Sequence, residues 1–244
     1  MTINKVTFNS VNFWDDLGAA LTAPVAYPIP AEIKEKVKIK GMNGSLTEAT
    51  GYFNDLEIKL KFKVLFKRAR EEENRTFNGL KRTINSLFNI ITDDKFIFSD
   101  VPDRYYKIKS AGVGAVAKLS DYEAEFNVTF ICDPFLYDPN ELPIARPNGQ
   151  IFYNGDVPNK PIITFSAKRG HYSINCNGRD LSFEVTEDSA EIKINDNPYA
   201  TVMMGNKPLN SVGVEPIFSP GPNNITISGN VSNSTLKKNE RYLG

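Results

Sequence analysis

The sequence predicts two domains of different kind, an α+β domain over residues 1–138, built as a β-sheet with one helix, and an all-β sandwich over 139–244. Three observations carry this prediction. Residues 55–66, DLEIKLKFKVLF, alternate apolar and charged residues with period two. Phe77, Leu80, Ile84, Leu87 and Phe88 then recur at the spacing of one helix face. Beyond residue 147 only short alternating runs separated by turn residues occur, with no helical period. A chain of 244 residues is long enough for two cores of about 100–150 residues each.

Taken in order, the first domain begins with the stretch KGMNGSLTEATGYFND (40–55), whose Gly, Asn, Ser and Thr read as a loop or wide hairpin turn. In the strand that follows, Leu56, Ile58, Leu60, Phe62, Val64 and Phe66 share one face. Asp55, Glu57, Lys59, Lys61 and Lys63 share the other, with Leu65 the exception. Glu71–Glu73 are expected in the first turn of the helix, where its dipole favours negative charge, and Asp93–Asp94 at its end. Strands resume with KFIFSD (95–100), RYYKIKS (104–110), GVGAVAK (112–118) and YEAEFNVTF (122–130). FNVTFICDPFLYDP (126–139) closes the domain: Phe126, Val128 and Phe130 alternate with Asn127 and Thr129, and Pro134 and Pro139 are expected to stop the pairing. PNGQIFYNGDVPNKP (147–161) reads as a turn-rich connection. The strands PIITFSA, HYSINC, RDLSFEV, AEIKIN, YATVMM and NNITISG follow, and Asn177-Gly178 is a strong hairpin signal.

Composition narrows the function classes. Lys+Arg and Asp+Glu number 29 each, so there is no net pull toward nucleic acid or an anionic membrane, and sequence-specific nucleic-acid binding is not expected. The N-terminal MTINKVTFNSVNFWDD lacks the apolar run of a secretory signal, and no stretch approaches the roughly 18 apolar residues of a membrane span. Synthesis in the cytoplasm and no membrane insertion are the expectations. Cys132 and Cys176 are too few for a disulfide scaffold. The N-x-S/T sequons beginning at Asn74, Asn127 and Asn224 read as ordinary loop and strand text.

Motifs that would carry chemistry fail their context. Gly112-Val-Gly114-Ala-Val-Ala117 matches G-x-G-x-x-A, but alternating strand residues follow it where a phosphate-binding helix is required. His171 and Cys176 supply too few ligands for zinc, and no G-x-S-x-G elbow accompanies the only histidine. Asp15–Asp16, Asp93–Asp94 and Asp100 with Asp103 offer the paired carboxylates a glycosidase uses, in positions where Asp also serves caps and turns. Lys59, Lys61 and Lys63, continued by Lys67, Arg68 and Arg70, form a basic stripe of the kind phosphate backbones bind. Acids flank it and stacking aromatics do not alternate with it, so a face toward solvent or a neighbouring subunit is expected. No catalytic, metal or cofactor site is expected.

Several segments in sequence order carry a resemblance. GMNGSLTEATGYFNDLEIKLKF (41–62), LKRTINSLFN (80–89), FIFSDVPDRYYKIK (96–109), FNVTFICDPFLYDP and SPGPNNITISG (219–229) are together similar to the distal tail protein (Dit) family of siphophages and prophages. The resemblance spans most of residues 30–244. The stretch KIKGMNGS departs from it, lacking the arginine that often follows the loop's first glycine. The resemblance implies a structural protein of the virion tail tip rather than an enzyme, and no cofactor. It implies a homo-hexameric ring, a hub that joins the tail tube to the baseplate, tail-associated lysin or fibre and receptor-binding proteins. The α+β domain would form the ring and a galectin-like sandwich would project outward. On this reading Cys132, Pro134, Phe135 and Tyr137 form a structural junction at the exit of the ring domain, and Lys59, Lys61 and Lys63 are subunit-interface candidates. The alternative is a carbohydrate-binding module of the tail tip with a host cell-wall glycan as partner. Tyr153, Tyr172 and Tyr199 are its candidate platforms, since Trp14 lies outside the sandwich. A tail-associated cell-wall hydrolase is a further rival.

Overall fold

The computed structural model describes residues 5–22, 24–41, 43–197 and 199–243. Residues 1–4 of the N-terminal reading, Met42 of the Gly-rich loop and Gly244 lie outside the described residues. The chain is mostly β and divides into two compact units, one running to Pro139 with Leu243 added, the other Asn140–Tyr242.

The first unit contains β1 (Val6–Phe8), β2 (Val11–Asn12), α1 (Phe13–Leu17), β3 (Ala19–Leu21), β4 (Glu32–Val37), β5 (Leu46–Phe53), β6 (Leu56–Leu65), α2 (Phe77–Asn89), β7 (Lys95–Phe98), β8 (Tyr105–Val113), β9 (Ala117–Lys118) and β10 (Glu123–Tyr137). Among the described residues, eight of the strands form one sheet in the order β2-β1-β7-β8-β10-β6-β3, with β9 also on β10, while β4 and β5 pair only with each other. Leu56, Ile58, Leu60, Phe62 and Val64 of β6 are buried and the charged residues between them are not, as the period-two pattern requires. Leu80, Ile84, Leu87 and Phe88 of α2 turn to the sheet, where Phe88 meets Phe8 at 5.2 Å and Phe130 at 6.1 Å between ring centroids. Phe62 stacks on Phe126 and Phe96 on Phe130, so aromatic rings dominate this core.

Several sequence expectations are corrected here. The acids Glu71–Glu73 do not occupy the first turn of α2; Glu73–Arg75 form a separate 3-10 turn, and Thr76 caps the helix by accepting from the Gly79 N–H at 3.1 Å. The helix ends at Asn89, ahead of Asp93–Asp94. A second, five-residue helix, α1, is present, too short to show a period in sequence and held by Asn12, whose side chain accepts from the N–H groups of Trp14 and Asp15. The strands expected at 104–110 and 112–118 are divided elsewhere: β8 runs unbroken to Val113, and of the second run Ala117–Lys118 alone form a separate strand, β9. The supposed loop 40–55 contains β5.

The strand before Pro134 does not stop there. β10 continues to Tyr137 because the proline sits in a bulge. Pairing with β6 ends at Cys132, and pairing with β8 jumps from Cys132 to Leu136, so no ladder bond is asked of Pro134. Asp133 Oδ1 accepts from the Phe135 N–H at 3.2 Å and from the Tyr137 hydroxyl at 3.0 Å, which satisfies the bulged backbone locally.

The second unit contains β11 (Ile144–Ala145), β12 (Gly149–Tyr153), β13 (Ile162–Ala167), β14 (Gly170–Cys176), β15 (Arg179–Val185), β16 (Ala190–Asn197), β17 (Ala200–Met204), β18 (Lys207–Pro208), β19 (Ser211–Gly213), β20 (Gly221–Ser228) and β21 (Val231–Lys237). One sheet has the order β11-β21-β13-β16-β17-β18 and the other β12-β20-β14-β15-β19. The connection read at 147–161 holds β12, and β21 is a strand the sequence did not signal. Inward residues of both sheets, among them Phe165, Ile192, Tyr172 and Phe183, share one core. Asn177 and Gly178 join β14 to β15 with φ of 53° and 80°, both left-handed, as a tight two-residue hairpin requires.

Candidate functional site

The feature that sets this chain apart from a pair of closed cores is the arm formed by β4 and β5. Its register is Glu32↔Phe53, Lys34↔Ala49, Glu35↔Glu48, Lys36↔Thr47 and Val37↔Leu46. Among the described residues no third strand joins it, and from Ile33 to Val37 every residue of β4 is exposed. Ile33, Val37, Leu46 and Tyr52 are large apolar side chains left open to solvent, Tyr52 at 73%. A lone two-stranded ribbon is marginal in water, and exposed apolar side chains grouped on one element are of the kind that partner surfaces cover.

The arm is rooted on the bulged end of β10. Phe53, the last residue of β5, meets the buried ring of Phe135 edge-on at 5.2 Å, and the Asn54 N–H donates to the Ala31 carbonyl at 3.2 Å to close the base. Tyr137 is buried beside Tyr105 at 5.6 Å. Cys132 lies opposite Leu56, fully buried, and burial pushes its thiol up to about 12, with the negative charges of Asp133 and Asp55 adding to the effect. Such a thiol is a packing group and not a nucleophile at neutral pH. The bulged end of β10 thus holds Phe135 against Phe53 and Tyr137 beside Tyr105, and Phe53 is a partner that sequence reasoning missed.

The lysine stripe is electrically closed. Lys61 pairs with Glu125 at 3.0 Å and Lys63 with Glu123 at 3.1 Å, both across the β6–β10 ladder, and Lys59 pairs with Glu57 at 3.0 Å. The sequence showed the flanking acids but not the two that β10 lays beside the stripe. Exposed pairs of this kind contribute little to stability, yet they remove the uncompensated charge a phosphate backbone would need. Near α2, a cleft of about 580 Å³ is lined by Asn78, Lys81, Arg82, Asn85 and Val113.

The remaining sequence candidates fall apart spatially. Tyr153 is buried, its hydroxyl donating to the Val157 carbonyl at 2.8 Å, and Tyr172 is buried against Phe183, so neither can be a sugar platform. Only Tyr199, 94% exposed, keeps that geometry. Trp14 is covered by the Arg68 guanidinium at 5.3 Å. His171 is on the exposed face of β14 opposite Glu184, while Cys176 of the same strand is buried. Asp15 pairs with Lys5 and Asp16 with Arg70, Asp93 accepts from the Lys95 N–H, and Asp100 accepts from Tyr27. Among the described residues, no three His, Cys, Asp or Glu side chains gather as a metal-ligand set. The G-x-G-x-x-A stretch runs from the end of β8 to the start of β9, with residues 114–116 between them and the Gly114 N–H donating to the Asn127 carbonyl, so no helix follows it.

Residues 15–132 match the family model of the phage tail protein RIFT-related domain. No curated protein matches the sequence. Among solved structures the chain is similar to the Dit protein (gp 19.1) of phage SPP1, described as a paradigm of hub adsorption apparatus in phages infecting Gram-positive bacteria. Identity is 16%, the TM-score is 0.59, and the likeness covers 96% of this chain and 97% of the SPP1 protein. Residues 15–132 thus resemble a phage tail protein RIFT-related domain, and the chain as a whole shares the fold of the SPP1 Dit protein.

Proposed function

We propose that this chain is a structural subunit of a phage tail tip that assembles as a homo-hexameric ring. The ring acts as a hub between the tail tube and the baseplate, fibre or receptor-binding proteins. The single observation that carries the reading is the arm: β4–β5 stands off the sheet with Ile33, Val37, Leu46 and Tyr52 exposed, and a neighbouring subunit is the cover a ring supplies. A ring closes by heterologous contacts, one face of each subunit meeting a different face of the next. The phage tail domain matched over residues 15–132 and the likeness to the SPP1 hub protein support the assignment. In this reading the first unit, an α+β domain, builds the ring, and the second, a galectin-like sandwich, faces outward in the virion. Catalysis and cofactors have no part in it. The glycan-binding alternative has lost Tyr153 and Tyr172 as platforms, and a glycan screen is expected to give no binding.

Light scattering coupled to size exclusion, with negative-stain imaging, tests the proposal. Six-fold rings, or smaller assemblies that close into them with concentration, are expected. A chain that stays monomeric at every concentration and yields no ring overturns it.

A further inference from the structure

The two faces of the arm carry opposite charge. Side chains directly opposite each other in an antiparallel pair share a face. The register therefore puts Lys34 and Lys36 with Ala49 and Thr47 on one face, and Glu35 and Glu48, directly opposed, with Val37 and Leu46 on the other. All four charged residues are exposed, and none of them has an ion pair or hydrogen-bonding side-chain partner among the described residues. This is unlike β6, where each lysine of the stripe has its own glutamate. Lys38 and Lys40, beyond the end of β4, add positive charge at the tip. Two glutamates held side by side repel each other unless a cation arrives from outside, and the lysines have the same need for an anion.

We propose that the arm docks face to face on the arm of a second copy of this chain, Lys34 and Lys36 of one subunit meeting Glu35 and Glu48 of the next. The apolar pair Val37 and Leu46 lies beside the glutamates and is covered in the same contact. The contact is heterologous, since the basic face of each arm meets the acidic face of its neighbour, and it propagates in one rotational sense around a closed assembly. Its partner is chosen by charge: a basic face on a basic face, or acidic on acidic, is repulsive. This inference rests on the ring reading and deepens it by naming the contact.

The test uses the full chain and three variants, K34E/K36E, E35K/E48K and the fourfold reversal, with assembly followed by light scattering and folding by thermal melting. All four substituted positions are exposed, so unchanged melting is expected throughout. Each double variant places like charges against each other and is expected to weaken assembly by at least about tenfold. The fourfold reversal, which restores opposite charges with the signs exchanged, is expected to assemble as the natural chain does. An equimolar mixture of the two double variants is expected to assemble where each alone does not, because their arms alternate in sign. Assembly of the double variants at natural strength overturns the arm contact and leaves the ring reading intact. Failure of the fourfold reversal and of the mixture to recover also overturns it. A natural chain that never assembles overturns both.

Discussion

At the scale of single residues, Phe135 and Glu240 hold structure by different physics. Phe135 is 6% exposed and seats the arm through Phe53, so Phe135→Ala removes a buried ring from a bulge that cannot collapse freely. A loss of about 3 kcal/mol in the first unit is expected by chemical denaturation. An unchanged midpoint would show that the ring is not part of the core. Glu240 is buried, and burial alone would raise its pKa. The Lys238 ammonium, the Tyr242 hydroxyl and the Asn154 N–H outweigh that and hold the carboxyl below its ordinary range. A lowered folded-state value means that the stabilisation is present above the unfolded pKa of roughly 4.3 and is lost as pH falls through the folded one. Glu240→Gln is therefore expected to cost about 1–3 kcal/mol at pH 7 and progressively less as the pH is lowered into the acid range. Glu141 is raised mainly by burial and also by the Glu240 charge, so its contribution runs in the opposite sense and is itself relieved by Glu240→Gln; the same comparison made in a Glu141→Gln background isolates Glu240. A constant difference across pH would refute the ionic account.

At the scale of elements, α2 shows how a glycine can be required inside a helix. A Cβ on Gly79 would lie 1.8 Å from the Glu73 carbonyl oxygen, where the 3-10 turn crosses the first turn of the helix. Alanine favours the helix by about 1 kcal/mol over glycine, whereas a backbone clash of this kind forces the turn to move at a cost of about 1–3 kcal/mol or more. Gly79→Ala is expected to destabilise on balance, with loss of the Thr76 cap, and a stabilised variant in urea unfolding would show that the turn yields freely. The sequence revealed α2 and β6 because each buries one face, and burial writes a period into the residues. It concealed the arm for the converse reason: with both faces exposed, the alternation of Lys34 and Lys36 with Glu35 and Val37 carries no apolar signal. β21, polar at Ser232, Asn233 and Ser234, was concealed in the same way. The passage of β10 through Pro134 depends on a register set by β6 and β8, far away in the chain. At the site, Phe135 and Tyr137 were visible as aromatic residues but their seat beside Phe53 and Tyr105 was not. Tyr153 and Tyr172 misled because a tyrosine whose hydroxyl finds a backbone partner can be buried as fully as phenylalanine.

At the scale of the molecule, the second unit has what it needs to fold from its own residues. Ile163, Phe165, Ile192 and Ile194 from one sheet and Tyr172, Ile174, Leu181 and Phe183 from the other fill a common interior. Its polar closures are internal as well. Asn223 accepts from the Ser219 N–H at 2.9 Å and donates to the Ser219 carbonyl at 2.7 Å, and Tyr153 accepts from the Arg241 N–H at 3.0 Å. A domain of about 100 residues with one such core lies within the range that folds without disulfide or metal. Residues 140–242 expressed alone are therefore expected to give β-type circular dichroism and one cooperative melting transition. A fragment that binds hydrophobic dye and melts without cooperativity would mean that the core is completed from outside these residues. If the fragment folds and stays monomeric while the full chain assembles, the contacts that close the assembly require the first unit, where the exposed arm lies. A fragment that assembles by itself would move the search for the subunit interface to the sandwich.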